Sequence, residues 1–329
     1  MGLSRKAPAL GQKRAPISGN RPQQPLVSRQ PRIWRAALGD TFHGATTRDG
    51  IRLHTQRDFA GMHKAGALAA TILDEIAAHV FPGQSTGTLD RLITERVEAA
   101  GATSATIGYR GYRHASCISV NHVVCHGIPG AGIPMGKDET ISRDLDKRRT
   151  DDVLRDGDIL NIDVTVVVDG WFGDTSRMYV AGKPKPRAEK LIQITYDALM
   201  LGIDAVRPGN TFGDIGHAIQ SYVESQRMSV VRDFCGHGLG QVFHAPPNVL
   251  HYGRAGRGAV LEPGMFFTIE PMVNLGKPDT RVLSDDWTAV TRDKSLSAQF
   301  EHSVGVTDTG VEIFTQSPAG RFHPTWTAS

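Results

Sequence analysis

The sequence predicts an α+β fold in which two helix-helix-strand halves, produced by internal duplication, share a mainly antiparallel sheet. The first observation is a repeat. Val80, Pro82, Gly83, Gly87, Leu89, Ile93, Val97 and Glu98 return as Val206, Pro208, Gly209, Gly213, Ile215, Ile219, Val223 and Glu224, each 126 residues later. A period this long marks a duplicated half-domain and not a solenoid. The second is helical periodicity, with Met62, Ala65, Ala69, Ile72, Leu73, Ile76 and Val80 at three- and four-residue steps. The third is a hairpin signal from Ile159 to Ser176, where β-branched residues flank Asp169-Gly170. Two halves around one sheet leave a cleft between them, where ligand sites commonly lie.

Composition bounds the rest. With 329 residues, 40% hydrophobic and 22% charged, the chain can bury a sizeable core. No run approaches the ~18 uncharged apolar residues of a membrane span, and no apolar segment near the start resembles a secretory signal. A soluble protein that is not exported is expected, cytoplasmic and monomeric. The three cysteines, Cys117, Cys125 and Cys235, lack Cys-x-x-Cys spacing, which argues against a disulfide framework or thiolate zinc site and for a reducing compartment.

Residues 1–57 form a basic extension, predicted disordered. Up to about residue 39 it holds Arg5, Lys6, Lys13, Arg14, Arg21, Arg29, Arg32 and Arg35, no acid, and five prolines, too little apolar content to offset ordering entropy. Three readings fit: a solvated tail, an arm that touches nucleic acid or ribosome, or an Arg-rich organellar transit peptide, whose helix the prolines disfavour. The folded domain spans residues 58–315. A first helix runs from Asp58 to the Pro82-Gly83 stop. A second carries Leu89, Leu92, Ile93, Val97 and Ala100 and ends at Gly101. Strands are expected around residues 104–110 and 115–120. Residues 316–329 are a C-terminal tail.

In the hairpin, a two-residue turn sets Val168 opposite Trp171, Thr165 opposite Asp174 and Asp163 opposite Ser176. Period-two alternation puts Asp163, Thr165 and Asp174 on one face. The two aspartates are diagonal neighbours, with Cβ atoms at most roughly 7–8 Å apart, and carboxylates there can meet on one metal ion. Asp163 also interrupts a core-like strand, and a buried carboxylate is costly without a cation.

Three further stretches resemble this one. Cys235-Gly-His237-Gly-Leu-Gly240 sets a histidine between glycines, and Phe267-Thr-Ile-Glu270-Pro-Met272 and Ala298-Gln-Phe-Glu301-His-Ser-Val304 each set an acid in an apolar run. Pro271 biases Glu270 toward extended backbone. Four carboxylates and a neutral imidazole carry a formal charge of minus four, which two divalent cations balance. Oxygen-rich ligation with one nitrogen suits manganese, iron, cobalt or catalytic zinc, and the chemistry implied is metal-assisted hydrolysis.

The same segments, with Cys117-Ile-Ser-Val-Asn121, Val123-Val-Cys-His-Gly-Ile-Pro129, Asn161-Ile-Asp-Val-Thr165, Gly173-Asp-Thr-Ser176, Thr268-Ile-Glu-Pro-Met272 and Ser297-Ala-Gln-Phe-Glu-His302, resemble the type I methionine aminopeptidases over residues 58–315. That resemblance implies the pita-bread fold and removal of initiator methionine from nascent polypeptides when the second residue is small. It implies two divalent metal ions on Asp163, Asp174, His237, Glu270 and Glu301, with Asp174 and Glu301 bridging. It makes Glu270 a proton shuttle, His126 a partner of the scissile amide and His244 a stabiliser of the oxyanion. The methionine pocket it implies is lined by Tyr109, Tyr112, Cys117, Cys125, Phe243 and Trp287, residues that taken singly would read as core packing.

Two features depart from the family. Gly130 to Asp152 replaces a short connection with a longer insert dense in charge, readable as a solvated surface loop or as a lid or docking element. The basic extension is the other. Two alternatives fit the same motifs: a proline-directed peptidase of the same fold, which usually carries a large N-terminal domain, and a non-catalytic pita-bread protein that binds ribosome or nucleic acid.

Overall fold

The computed structural model describes residues 44–137 and 144–321. The basic segment from Arg5 to Arg35, residues 138–143 of the insert and residues 322–329 of the tail lie outside the described residues. Helix α1 (Gln56–Ile76) opens on a capping box in which Asp58 accepts the Thr55 N–H at 2.7 Å, and a 3-10 turn over Ala77–His79 closes it. Helix α2 (Thr86–Ala99) follows, then strands β1 (Ser116–Val120) and β2 (Val123–Cys125). The long hairpin is β3 (Ile159–Val168) and β4 (Trp171–Val180). Helices α3 (Pro186–Asp204) and α4 (Phe212–Ser225) begin the second half. Its strands are β5 (Gly236–Gly238), β6 (Ala245–Val249), β7 (Phe266–Ile269), β8 (Met272–Asn274), β9 (Ala289–Thr291), β10 (Ser297–Gln299), β11 (His302–Val306) and β12 (Val311–Ile313).

The repeat is visible in three dimensions. Helices α2 and α4 are both 14 residues long, and their N-caps, Ser85 and Thr211, keep the sequence offset. Each is half of a helix pair laid on strands. Ala69, Ile72 and Leu73 of α1 meet Leu89, Ile93 and Val97 of α2 over Leu160, Ile162 and Val164. Leu191, Ile194 and Leu199 of α3 meet Ile215, Ile219 and Val223 of α4 over Phe267, Ile269 and Val273. Apolar side chains at helical spacing thus cover one face of a strand layer in both halves.

Every pairing between described strands is antiparallel. The sheet comes in several hydrogen-bonded pieces: β3 lies between β1 and β4, and a second piece has the order β6-β5-β7-β11-β12. The hairpin register is the expected one, with Val168 opposite Trp171, Thr165 opposite Asp174 and Asp163 opposite Ser176. A bridge from Ser176 to Glu301 stitches the hairpin to the second half. The Glu301 N–H donates to the Ser176 carbonyl at 3.1 Å, and the Thr175 hydroxyl donates to the Glu301 carbonyl at 2.7 Å.

Two expectations change. The strand expected over 104–110 is limited to Thr103–Ser104, and Tyr109–Gly111 is a 3-10 turn. Gly108 and Gly111, at φ 84° and 87°, turn the chain there. The described part of the insert is fastened down: Met135 N–H donates to Lys147 O at 2.9 Å, and Arg149 N–H to Ile133 O at 2.8 Å. Among the described residues no helix is long and apolar enough to cross a membrane.

Candidate metal centre

The hairpin delivers Asp163 from β3 and Asp174 from β4. The second half delivers His237 from β5, Glu270 from the residue after β7, and Glu301 from the joint between β10 and β11. Asp174, His237 and Glu301 each offer a ligand atom within 4.8 Å of the other two. His237 Nε2 lies 3.5 Å from Asp174 Oδ2 and 3.8 Å from Glu270 Oε1. Asp174 and Glu301 are each only 3% exposed.

His237 is held by its flanking glycines. A Cβ on Gly236 would come within 2.3 Å of the Thr268 carbonyl oxygen, and one on Gly238 within 2.0 Å of the Pro246 carbonyl oxygen. Only glycine lets the neighbouring strands approach this closely. His237 Nδ1 is 3.2 Å from the Gly238 carbonyl oxygen, which can only accept, so Nδ1 carries the proton and Nε2 is turned toward the carboxylates.

The electrostatics call for a cation. Burial, then Asp174 and Glu270, push the Asp163 carboxyl well above the usual range. Burial, then Asp174, Glu270 and Asp163, do the same to Glu301. Burial lifts Glu270 to about 7 against the opposing pull of His237. For His237, burial disfavours the charged ring, but Asp174 and Glu270 outweigh it and the value rises. Acids that raise one another in a water-poor site are the arrangement that a bound divalent ion stabilises. A set of carboxylates with one imidazole fits such ions.

Polar neighbours orient the acids. Thr165 Oγ1 donates to Asp174 Oδ1 at 2.7 Å. Thr268 Oγ1 accepts the His237 N–H at 3.0 Å and donates to Glu270 Oε1 at 2.8 Å, linking two candidate ligands through one hydroxyl. Gln299 Nε2 donates to Glu270 Oε2 at 3.3 Å, and His251 Nε2 accepts the Glu270 N–H at 3.0 Å.

The remaining expected residues gather beside the acids in two aromatic groups. Tyr109 packs on Phe243 and His244, with ring centroids 5.1 Å apart in both cases, and His244 lies 4.3 Å from His237. Trp287 packs on Tyr112 at 4.8 Å and on His126 at 6.1 Å. Cys117 is paired with Asp163 across the ladder, and Cys125 is buried on β2 opposite Ala289. His126 and His244 both sit at positive φ, 56° and 57°, a backbone strain of order 1–3 kcal/mol that tends to cluster at functional sites.

The sequence profile of metallopeptidase family M24 matches residues 60–308. The chain belongs to that family. It is 51% identical over 276 residues to the methionine aminopeptidase of Rickettsia prowazekii (strain Madrid E), covering 83% of this chain and 98% of the relative. It is 48% identical over 268 residues to that of Escherichia coli (strain K12), covering 80% and 94%. The crystal structure of the Rickettsia prowazekii methionine aminopeptidase superimposes with a TM-score of 0.74 at 50% identity, covering 81% of this chain and all of that one. The pita-bread fold of these metallopeptidases is therefore the fold of this chain.

Several residues of the site were not singled out from sequence. Thr268 and Gln299 each stand two positions before an expected acid, on the same strand face, and period two would have found them. Phe234, edge-on to His126 at 5.6 Å, adjoins the Cys235-Gly-His237 motif. His251 had no local signal, since only the fold brings it to Glu270.

Proposed function

We propose that this chain removes the N-terminal methionine from polypeptides whose second residue is small, using two divalent cations held by Asp163, Asp174, His237, Glu270 and Glu301. The observation that carries the reading is the convergence of four acids and His237 from both halves beside a pocket of aromatic rings and thiols. The near full-length likeness to proteins named methionine aminopeptidase favours this over proline-directed cleavage. Retention of all five candidate ligands argues against a non-catalytic binding protein.

When bound, the cations supply Lewis acidity and lower the pKa of an attacking water. Glu270, buried beside His237 at 3.8 Å, is placed to take a proton from the attacking water and hand it to the leaving amine. Thr268 and Gln299 hold its two oxygens in place for that transfer. Burial, then Arg110, pushes His126 down to about 4, and burial, then His237, pushes His244 well below its ordinary value. Both rings are neutral, so each has one N–H to offer: His126 to the scissile amide, His244 to the developing oxyanion.

Tyr109, Tyr112, Cys117, Cys125, Phe243 and Trp287 form the wall for the methionine side chain. Burial pushes both thiols up, so they stay uncharged and present soft sulfur to a thioether among aromatic edges. Manganese, iron, cobalt and zinc all suit the ligand set. The substrates are nascent chains in the compartment of their synthesis, cytoplasmic or organellar. Residues 1–39 serve as a basic arm toward the ribosome, so their deletion weakens salt-sensitive ribosome association and leaves short-peptide turnover unchanged.

Glu270→Ala tests the mechanism. Turnover of a Met-Gly peptide should fall almost to nothing while circular dichroism remains that of the folded chain. A folded variant that still turns over would overturn the assignment.

A further inference from the structure

The insert grips the loop that carries Trp287. Its Arg148 guanidinium donates to the Gly132 carbonyl at 3.0 Å, to the Thr288 hydroxyl at 3.3 Å, and to the Asp285 carboxylate in an ion pair. The other Asp285 oxygen accepts the N–H groups of Trp287 at 2.9 Å and Thr288 at 2.8 Å. Asp146 makes a second clasp, accepting the Ser284 N–H at 2.9 Å and the Arg281 guanidinium at 2.8 Å.

The other end of this connection is fixed. Arg149, next to Arg148, pairs with Asp158 at 3.2 Å, and Asp158 immediately precedes β3. A planar fork with partners on both sides holds a geometry that a flexible point charge cannot. From β3 the contacts run through Asp158, Arg149, Arg148 and Asp285 to the backbone N–H of Trp287, whose ring packs over Tyr112 and His126.

We infer that Arg148 is a positioning residue for Trp287, and that the insert thereby sets how tightly the pocket holds the first side chain of the substrate. The inference rests on Trp287 being a wall of that pocket. Without Arg148, the half-buried Asp285 loses its counter-charge, and the loop from 283 to 288 keeps the Asp146 clasp at Ser284, three residues short of Trp287.

The test uses Arg148→Ala and Arg148→Lys in the full-length, manganese-loaded chain. Steady-state release of methionine from Met-Gly-Met-Met gives kcat and KM, and subtracting the emission of Trp287→Phe isolates the Trp287 fluorescence. For Arg148→Ala, KM should rise about threefold to tenfold with kcat within about twofold, the signature of lost ground-state binding. The Trp287 emission should shift, and Arg148→Lys should recover part of both changes, because it keeps the charge and loses the fork. Unchanged KM with unchanged Trp287 emission overturns the inference. So does a matched loss of kcat and thermal midpoint without a change at Trp287, which would make Arg148 merely structural. If the parent chain releases no methionine, the reading of the reaction fails, and the Trp287 emission alone then decides for or against the positioning role.

Discussion

The two halves of the domain share their helices but differ in how those helices are capped and in what their strands carry. In the second half, α4 caps itself: Asp214 accepts the Thr211 N–H and hydroxyl, both at 2.7 Å. In the first half, the Ser85 hydroxyl accepts the Thr88 N–H at 3.3 Å, and α2 draws a further acceptor from the last residue of the insert, where Asp152 takes the Ser85 hydroxyl at 2.6 Å and the Gly87 N–H at 2.8 Å. Inside α2, Asp90 is buried and accepts the N–H groups of Ala115 and Ser116, each at 3.0 Å. Its counterpart in α4 is Gly216, against which the Leu250 and Tyr252 carbonyls pack closely. The first half gives the site two acids on one long hairpin, and the second gives three side chains on three separate short elements. Duplication kept the apolar scaffold and let the polar contacts diverge, and the candidate metal centre sits where the divergent parts meet.

If the centre belongs to both halves equally, removing one acid from either should be equally damaging. Asp174→Asn and Glu301→Gln should each lower turnover by more than ~10³-fold, since several kcal/mol of charge stabilisation are lost. Calorimetric metal titration should show weakened binding in both. A large loss in only one variant would assign the centre to one half.

The pH response separates the metal-free from the loaded chain. Burial lifts Glu270 from 4.5 in the unfolded chain to about 7 in the fold, and Asp163 and Glu301 also move up. Above about pH 4.5 the unfolded chain therefore gives up protons that the metal-free fold keeps, so metal-free stability falls as pH rises toward and past 7. Differential scanning calorimetry of metal-stripped protein should show the midpoint dropping by about 5 °C or more between pH 5 and pH 8. Loaded protein should not follow it down, because cations replace the protons.

Smaller effects sharpen the comparison. Thr165→Val in the first half and Thr268→Val in the second each free a carboxylate of the site, and metal affinity should weaken by about 10–100-fold in both. Asp214→Ala should cost about 1 kcal/mol in urea unfolding, and Asp152→Ala somewhat more, about 1–2 kcal/mol, because the Ser85 and Thr86 hydroxyls and the Gly87 N–H that it satisfies are all part-buried.

Much of this was legible in the sequence. The offset that relates Val80 to Val206 is the offset of the two helix N-caps, and the two-residue Asp169-Gly170 turn sets Thr165 opposite Asp174, as the strands pair. Asp174, His237 and Glu301 come together, with Glu270 beside His237. What sequence could not show was contact between distant segments: Asp152 capping α2 within the first half, His251 under Glu270 within the second, and Arg148 on the Trp287 loop between the halves. The strand expected across residues 104–110 failed because two glycines outweighed local β propensity. The insert looked like a solvated loop because its charges, read one at a time, showed no partners.

The measurement that tests the central claim most directly is methionine release from metal-stripped, full-length protein resupplied with manganese, cobalt, iron(II) or zinc. Met-Gly-Met-Met is compared with a peptide beginning Met-Leu. The account predicts no release without metal and metal-restored release confined to the peptide with the small second residue. Folded protein that cleaves neither peptide with any of the four ions would contradict it.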